Sequence, residues 1–455
     1  MEEKKLLYDV NEKPPIAKWI VLALQHVFAM FGATILVPIL VNSGLAAKGI
    51  DGEALSIAVA LVTAGIGTLI YILCTKGKSP VFLGSSFAFI SPIIAAYIAG
   101  SSGDGGVQGG IAGAMTGIMV IGIVYVIVSL IIKFAGKNWI DKLLPPIVIG
   151  PMIMIIGLGL ASSAVGNIFD TSIQVSGIEW KGPIVALITF LATALTMTKA
   201  KGFFKIIPFL IGIVVGYISA CIFGLVNFES VLNASWFQIP NFQIPFVSYH
   251  PNLLIALTMA PIAFVTMAEH IGDHKALSVI IDRDLLKDPG LDNTLLGDGI
   301  ATFVAGLLGG PANTTYGENT SVVGMTKVAS VWVIGLAAIL AIVLGFLGKF
   351  TAIVQTIPAP VLGGVSLLLY GFIAVNGLKV LIQNKIDFGK NKNIIVASAM
   401  LVLGLGGAAF SIATGNNLTV EISGMSLAAI AGVLLNLLLP EEKWEIGSWR
   451  SEVRD

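Results

Sequence analysis

The chain has 455 residues, of which 56% are hydrophobic and only 11% are charged, and its formal net charge is zero. So few charged side chains cannot cover the surface of a water-soluble protein of this size. A neutral chain also lacks the basic surface typical of a nucleic-acid-binding protein, so no nucleic-acid partner is expected. The composition therefore predicts an integral membrane protein with many membrane-spanning segments.

Charge-poor runs long enough to cross a bilayer recur from one end of the chain to the other. Three further segments, 84–98, 295–308 and 317–326, are shorter or interrupted by polar residues. Together the runs and segments predict fourteen crossings joined by mostly short connections. The long runs are 20–41, 56–74, 110–132, 147–164, 184–198, 206–226, 253–268, 328–348, 361–375, 394–413 and 425–439.

The basic residues predict the orientation of these crossings. With fourteen crossings, 23 of the 26 Lys and Arg residues lie on the same side as the N-terminus, and Lys48, Lys181 and Lys349 lie on the other. Because basic connections stay in the cytoplasm, both termini are expected there. Residues 1–15 are polar and mixed in charge, so no cleavable signal peptide is expected, and the first crossing is expected to direct insertion.

Two weak similarities connect the halves of the chain. Residues 80–87 and 311–319 each place a proline and several extended-preferring residues before a glycine that opens a short helix. Residues 145–150 and 358–363 repeat a proline-rich helix start. Both pairs lie seven crossings apart, and because seven is odd, the two halves would insert with opposite orientation.

This pattern predicts an all-α integral membrane fold of 14 transmembrane segments arranged as a 7+7 inverted repeat. It includes two short extended stretches in the broken segments 3 and 10. Two such segments would meet near the bilayer midplane, where their free amides and positive helix ends create a pocket. The alternative is that the Pro and Gly residues simply kink ordinary membrane helices.

Four acidic residues fall inside or near the predicted crossings. Glu269, Glu318 and Asp298 lie well inside them, and Asp273 lies near an end. A charge in hydrocarbon costs at least about 2.5 kcal/mol, so such acids are expected to face protein or water. Glu269 and Asp273 share one helical face with Thr266. A carboxyl group there can couple protons to a solute, because it donates a hydrogen bond only when protonated; the alternative is a structural hydrogen bond between helices.

The sequence contains no motif that indicates metal binding, nucleotide hydrolysis or nucleophilic catalysis. The histidines and cysteines do not have the spacing of a metal site, and there is no nucleotide-binding loop or nucleophile elbow. We therefore expect neither a metal nor another cofactor, and neither a pump nor an enzyme. His26 lies in the first crossing beside Gln25. It either forms a structural hydrogen bond in the protein core or has a functional role.

Five segments in combination resemble the nucleobase:cation symporter 2, or nucleobase-ascorbate transporter, family, and most of all its bacterial uracil permeases. The similarity extends over essentially the whole chain. The segments are QHVFAMFGAT at 25–34, GSSFAFISP at 84–92, AEHIG at 268–272, NTTYGEN at 313–319 and PAPVLGGVSLLLY at 358–370.

The resemblance implies a core domain, made of crossings 1–4 and 8–11, and a gate domain, made of crossings 5–7 and 12–14. It also suggests a homodimer. The implied boundaries are 1–17 for a cytoplasmic tail, 18–142 and 250–349 for the core domain, 143–249 and 350–440 for the gate domain, and 441–455 for a second cytoplasmic tail.

The resemblance also implies a substrate site. In the family, carboxylates that match Glu269 and Glu318 hold the base, and backbone amides that match Phe87 and Gly317 complete the clamp. The remaining implied positions are Tyr316, Tyr370 and Ser86 for substrate binding, Glu269, Asp273 and His270 for proton coupling, and Asp298, Asn319 and His26 for structure or coupling.

The chain departs from the family pattern at two positions. Asp273 stands where the uracil permeases carry a second histidine, and Ser321 stands at a glycine of the family signature. Purine-selective members typically carry glutamine at the position of Glu318, so the resemblance favours uracil. Uracil also suits the site chemically, because carboxylates match its two N–H donors and helix-end amides match its two carbonyl groups.

The sequence thus predicts a proton-coupled uracil symporter of the bacterial inner membrane that works by alternating access. The alternatives are a permease for xanthine or another purine and a passive channel. A transporter of inorganic or dicarboxylate anions fits poorly, because the predicted pocket holds two acids and no intramembrane Lys or Arg.

Overall fold

The structure, a computed structural model, describes residues 6–46, 48–50, 53–101, 105–169, 180–414 and 418–440. These residues are mostly helical. Their helices are α1 (Ile16–Ala46), α2 (Ile57–Cys74), α3 (Ile90–Ser101), α4 (Gly106–Ala135), α5 (Asn138–Leu143), α6 (Pro146–Gly159), α7 (Ala161–Ile168), α8 (Lys181–Lys199), α9 (Pro208–Ile222), α10 (Glu229–Asn233), α11 (Leu253–Ala256), α12 (Ile262–Ile281), α13 (Leu291–Leu308), α14 (Gly317–Thr326), α15 (Val331–Gly345), α16 (Gly348–Gln355), α17 (Ala359–Gln383), α18 (Asn391–Leu405) and α19 (Gly424–Leu438).

Four short strands form two separate antiparallel pairs among the described residues. The strands are β1 (Leu83–Ser85), β2 (Asn313–Thr315), β3 (Ala409–Thr414) and β4 (Leu418–Ser423). Short 3₁₀ segments at Phe87–Phe89, Gly202–Ile206 and Leu257–Met259 connect to neighbouring helices.

Six of the described helices, or helix pairs, are long and apolar enough to cross a membrane. A seventh span results if α11 and α12, which are bent by 41° at their break, count as one. Five shorter helical segments of 10–17 residues are also apolar. Within the described ranges, the helices long enough to span a membrane are therefore fewer than the predicted fourteen crossings. The count of fourteen stays a prediction.

The end of the predicted crossing at 394–413 was wrong. Helix α18 ends at Leu405, and the chain then continues into β3. Three glycines lie at this end, and Gly407 adopts a left-handed backbone with a φ of 70°. Glycine tolerates that conformation, so the helix stops and a β-hairpin begins.

Strands β1 and β2 bring the two predicted extended stretches together. Gly84 pairs with Thr314, and Ser85 pairs with Asn313. Two further backbone hydrogen bonds, Tyr316 N–H to the Phe82 carbonyl (3.1 Å) and Ser86 N–H to the Ala312 carbonyl (2.9 Å), lengthen the ladder. The backbone groups that a broken membrane helix leaves free are thereby paired with each other, as an apolar environment requires.

Two threonines attach these strands to neighbouring helices. Thr68 of α2 donates to the carbonyl of Leu83 at 3.2 Å and accepts from its N–H at 2.9 Å. Thr302 of α13 donates to the Asn313 carbonyl at 3.1 Å. The strands are therefore anchored on both sides by helices of the same bundle.

The helices pack as two groups. In the first group, α2 contacts α1, α13 and α15, and α4 contacts α3, α11 and α13. In the second group, α17 contacts α6, α7, α8 and α9, while α18 contacts α6 and α19. The groups meet where α12 contacts α6 and α19, and where α1 contacts α9. The candidate site lies at this meeting surface.

Glycines allow the close approach of α4 and α13. A Cβ atom added at Gly122 would lie 2.5 Å from the Phe303 nitrogen and 2.6 Å from the Gly299 carbonyl oxygen. Both neighbours are backbone atoms and cannot rotate away. Small residues at such crossings let membrane helices pack through their backbones.

We predict that Gly122→Ala destabilises the protein by about 1–3 kcal/mol, because the added methyl group forces the two helices apart. Gly166→Ala is the matched control, since no atom lies within 4 Å of its Cβ position. Thermal unfolding in detergent micelles measures both variants. An unfolding midpoint of Gly122→Ala equal to that of the control would contradict the close packing.

Candidate functional site

A cavity of about 300 Å³ lies between the two helix groups. The first group contributes polar and carboxylate side chains, and the second contributes mainly apolar ones. The lining residues are Ser85, Phe87, Ala88, Glu269, Asp273, Thr314, Thr315, Tyr316, Gly317, Glu318 and Ser321 from the first group, and Ile156, Met197, Phe209, Leu369, Phe372, Ile373 and Asn376 from the second.

Helix α12 contributes two carboxylates to this cavity. Glu269 and Asp273 are four residues apart, so they lie one above the other on the same helical face, as the sequence predicted. Both side chains are half-buried. Asp273 accepts a hydrogen bond of 2.5 Å from the Thr315 hydroxyl. This bond joins α12 to strand β2 and fixes the position of the Asp273 carboxylate.

The third carboxylate stands at the first turn of α14. The helix begins at Gly317, directly after β2 and Tyr316, and Glu318 is its second residue. The positive end of a helix dipole favours a negative charge at this place. A Cβ atom at Gly317 would have only the Asp273 carboxylate within 4 Å, at 3.8 Å, so this glycine leaves room between the helix end and α12.

Tyr316 forms part of the cavity wall. Its hydroxyl donates to the Ser85 carbonyl at 2.9 Å and lies 3.0 Å from the Thr34 hydroxyl of α1. The ring covers Gly84 so closely that no side chain would fit there. The ring of Tyr316 is thus held in place by hydrogen bonds to β1 and α1.

Phe87 also lines the cavity, and the predicted residue Tyr370 packs against it. Their ring centroids are 6.3 Å apart at 75°, an edge-to-face contact between the two helix groups. Tyr370 and Ser86 are buried and are not among the lining residues. Their assignment to substrate binding therefore stays a prediction.

His270 and Asp298 lie on the other side of α12. His270 Nδ1 is 2.8 Å from Asp298 Oδ2, and both side chains are fully buried. The carboxylate of α13 is therefore paired with a histidine of α12, and neither residue lines the cavity. This geometry matches the structural alternative for Asp298; a role in proton coupling stays a prediction for both.

A second buried histidine, His274, packs against His270 on the same helix. His274 stacks on His270 with ring centroids 4.1 Å apart, and its Nδ1 lies 2.7 Å from the His270 carbonyl oxygen. A carbonyl can only accept, so Nδ1 carries the hydrogen and Nε2 of the neutral ring accepts. The Tyr71 hydroxyl, 2.5 Å away, is the donor. Neither Tyr71 nor His274 was among the predicted site residues, although the four-residue spacing of His270 and His274 places both on one helical face.

Asn319 and His26 are also brought together, away from the cavity lining. The Asn319 amide donates to the His26 ring nitrogen Nδ1 and to the His26 backbone carbonyl, each at 3.1 Å. Both residues are buried. These bonds connect α14, which carries Glu318, to α1.

The second helix group supplies residues that the sequence analysis did not identify. Phe209 and Phe372 form an edge-to-face pair with centroids 6.2 Å apart on this wall. Asn376 and Ile373 line both this cavity and an adjoining one of about 580 Å³, which also shares Glu269 and Asp273. The second cavity extends along α12 and α17 to Lys275 and Gln383. The two acids therefore stand where the cavities join.

The described residues contain no group of three or more His, Cys, Asp or Glu side chains arranged to hold a metal ion. The cavity instead combines three carboxylates with a helix N-terminus and aromatic rings. Such a set can accept hydrogen bonds from a flat polar molecule, donate to it through backbone amides and cover its faces.

The sequence model of a family described as a permease family matches residues 17–436. This match covers most of the chain. The chain belongs to this permease family. The resemblance inferred from the five motif segments is thereby confirmed, and the protein is a transporter, not an enzyme.

Curated relatives of this permease are similar over nearly their whole length. The uracil permease of Bacillus caldolyticus is 48% identical over 96% of this chain and 95% of its own. The uracil permease of Bacillus subtilis (strain 168) is 47% identical over 98% of each chain. The uracil permease of Escherichia coli (strain K12) is 40% identical over 95% of each.

Solved structures share the fold of the permease at low sequence identity. The transmembrane domain of the cyanobacterial bicarbonate transporter BicA matches with a TM-score of 0.59 and 17% identity, over 89% of this chain and 97% of its own. SLC26A9 matches with a TM-score of 0.63 and 14% identity, over 93% of this chain and 66% of its own. The agreement concerns the fold alone.

We predict that the Asn319 and His26 side chains stabilise the permease jointly. Asn319→Ala leaves a buried ring nitrogen without its donor, so it should destabilise by about 1–3 kcal/mol. In a double-mutant cycle with His26→Phe, the two effects should be non-additive by about 0.5–3 kcal/mol. Unfolding midpoints of the two single variants and the double variant measure this coupling. Strictly additive effects would show that the bond is not formed.

Proposed function

We propose that this permease is a proton-coupled symporter that imports uracil. The observation that carries the proposal is that Glu269 and Glu318, from different helices, line one cavity beside the first turn of α14. The curated relatives with 40–48% identity over nearly the whole chain are named uracil permeases. Both lines of support point to a small, flat molecule with N–H donors.

The cavity suits uracil chemically. The base offers two N–H donors, which match the carboxylates of Glu269 and Glu318, and two carbonyl acceptors, which match the backbone amides at Phe87 and Gly317. The Phe87 ring is available to cover a face of the base. A site built from paired donors and acceptors rejects analogues that leave one of them unpaired.

Proton coupling is supported by the number of carboxylates in one place. Glu269, Asp273 and Glu318 line the cavity, and none of its lining residues in the described part of the chain is Lys or Arg. Three negative charges so close together favour the uptake of at least one proton. A protonated carboxyl both donates and accepts hydrogen bonds, whereas an ionised one only accepts. Binding of the base can thus depend on protonation of Glu269, with Asp273 and His270 in weaker coupling roles.

Transport by alternating access is supported by the division into two helix groups. In this proposal, the first group corresponds to the core domain and carries the polar half of the site, while the second corresponds to the gate domain and carries the apolar half. Movement of one group against the other would open the cavity to either side of the membrane. The second cavity, which joins the first at Glu269 and Asp273, offers one such route.

The proposed 7+7 inverted repeat is supported by exchanged packing partners. If crossings seven apart are equivalent, α2 corresponds to α13 and α4 to α15. The contact of α4 with α13 then mirrors that of α2 with α15, and both are extensive. In the second group, the contact of α8 with α9 mirrors that of α18 with α19. The first pair of contacts is an exchange of partners between the halves, which a repeat of this kind produces.

The proposed location is the inner membrane of a bacterium, with both termini in the cytoplasm. This orientation rests on the bias of basic residues among the connections, and its C-terminal part, including Lys443, Arg450 and Arg454, lies outside the described residues. The proposed orientation places the end of the second cavity that is lined by Lys275 on the cytoplasmic side.

We predict that Glu269→Gln and Glu318→Gln each weaken uracil uptake by about 10- to 100-fold. The Glu269→Gln variant can no longer take up or release the coupling proton, and Glu318→Gln removes an anionic acceptor for a buried N–H. Uptake of labelled uracil in cells lacking other uracil transport measures this. Glu53→Gln is the control, since Glu53 lies outside the membrane-spanning helices and away from the cavity. Accumulation at the wild-type level by both cavity variants would reject the proposal.

Competition distinguishes uracil from the other candidate substrates. We expect unlabelled uracil to abolish the uptake of labelled uracil, and xanthine or bicarbonate in tenfold excess to have little effect. A protonophore should collapse the accumulation. Stronger competition by xanthine would assign a purine permease, and uptake that never exceeds the external concentration would assign a channel.

A further inference from the structure

A third hollow lies on the side of the first helix group, between α2 and α15. It has a volume of about 480 Å³, within the range typical of ligand pockets. None of its lining residues belongs to the candidate uracil site. The lining residues are Asn11, Trp19, Leu69, Ile72, Lys76, Gly77, Val331, Trp332, Gly335, Leu336 and Ile339. We call this hollow the α2–α15 groove.

The body of the groove is apolar and follows the two helices. Leu69, Ile72 and Lys76 are spaced by three and four residues, so they form one stripe along α2. On α15, Trp332 and Ile339 lie seven residues apart on one face, about 10 Å along the axis. Gly335 stands between them, and a Cβ atom there would meet only Ile72, at 3.9 Å. A missing side chain thus opens the groove at its middle.

The mouth of the groove is positively charged. The Lys13 ammonium lies 4.3 Å from the centroid of the Trp19 ring and 5.4 Å from that of Trp332, and both rings line the groove. Lys76 lines it directly and is exposed. Helix α15 also begins here, at Val331, and presents its positive end.

Three acids, Asp9, Glu12 and Asp288, have other partners. Asp9 forms an ion pair with Arg283, and Glu12 accepts a hydrogen bond of 2.8 Å from the Asp9 backbone. Asp288 pairs with Lys78 at 2.7 Å. Among the residues that the structure describes, Lys13 and Lys76 take part in no ion pair, which leaves their charge to an external anion.

The N-terminal segment holds the mouth in place. Val331 donates its backbone N–H to the Val10 carbonyl at 2.9 Å, and the Ser330 hydroxyl donates to the Glu12 carbonyl. The Trp19 indole donates to the Trp332 carbonyl at 2.7 Å. The two tryptophans and Lys13 are therefore arranged before any ligand arrives.

We infer that the α2–α15 groove binds an anionic glycerophospholipid from the membrane leaflet next to the N-terminal segment. One acyl chain would lie between α2 and α15, and the headgroup phosphate would contact Lys13 and Lys76. An apolar channel that ends in two cations and two tryptophans has the charge and polarity profile of such a lipid at the membrane interface.

The experiment compares phosphatidylglycerol with phosphatidylcholine of identical acyl chains, bound to the purified full-length protein in detergent and counted by native mass spectrometry. We expect phosphatidylglycerol to bind more tightly. Lys13→Gln and Lys76→Gln should each weaken phosphatidylglycerol binding by about fivefold and leave phosphatidylcholine unchanged. Lys13→Arg and Lys76→Arg should keep the preference, because they keep the charge.

A filling variant tests the apolar part separately. Gly335→Leu should weaken the binding of both lipids, since its side chain occupies the groove. The controls are Lys133→Gln, an exposed lysine at the end of α4, and Gly166→Leu, whose Cβ position is open. Both controls should bind lipid as the wild type does, and unfolding midpoints verify that all variants are folded.

Three results would overturn the inference. The first is equal binding of the two lipids to the wild type. The second is an undiminished preference for phosphatidylglycerol in the Lys13→Gln/Lys76→Gln double variant. The third is a dimer that Gly335→Leu dissociates, which would assign the groove to a second copy of this chain.

Discussion

The pairing of β1 with β2 is the constraint on which the rest of the structure depends. Inside a bilayer, each backbone N–H and C=O group needs a partner, so a helix can be interrupted only where protein supplies one. The two interrupted segments supply partners for each other, and Thr68 and Thr302 complete the anchoring. Helix α14 can therefore start at Gly317 in the interior, which places its positive end and Glu318 at the cavity.

Helix α12 divides its polar side chains between two faces with different tasks. Glu269 and Asp273 face the cavity, whereas His270 and His274 face α13 and α2, where they contact Asp298 and Tyr71. The buried contacts satisfy polar groups that would otherwise be costly and fix the rotation of the helix about its axis. Because the rotation is fixed, the two carboxylates stay directed at the cavity.

The fold alone does not select the substrate. The bicarbonate transporter BicA and SLC26A9 share this architecture at 14–17% identity. In the cavity of the present permease, the described lining residues include three carboxylates and no Lys or Arg, a set that repels anions and accepts hydrogen bonds from neutral donors. Selectivity therefore resides in a few side chains placed on a shared scaffold, and these are the residues on which the proposed uracil site rests.

The sequence by itself determined the membrane class, the helical segments, the two extended stretches and the carboxylates Glu269 and Glu318, because acids and Pro-Gly breaks are rare and conspicuous among apolar residues. It did not reveal Phe372 and Asn376, which line the cavity from the second helix group, or the bond between Tyr71 and His274. In a helix that is apolar on all sides, the sequence pattern does not show which residues face the cavity and which face lipid or other helices. Only the packing of the helices decided which residues meet, since contact between groups distant in sequence depends on the rotation and position of each helix in the bundle.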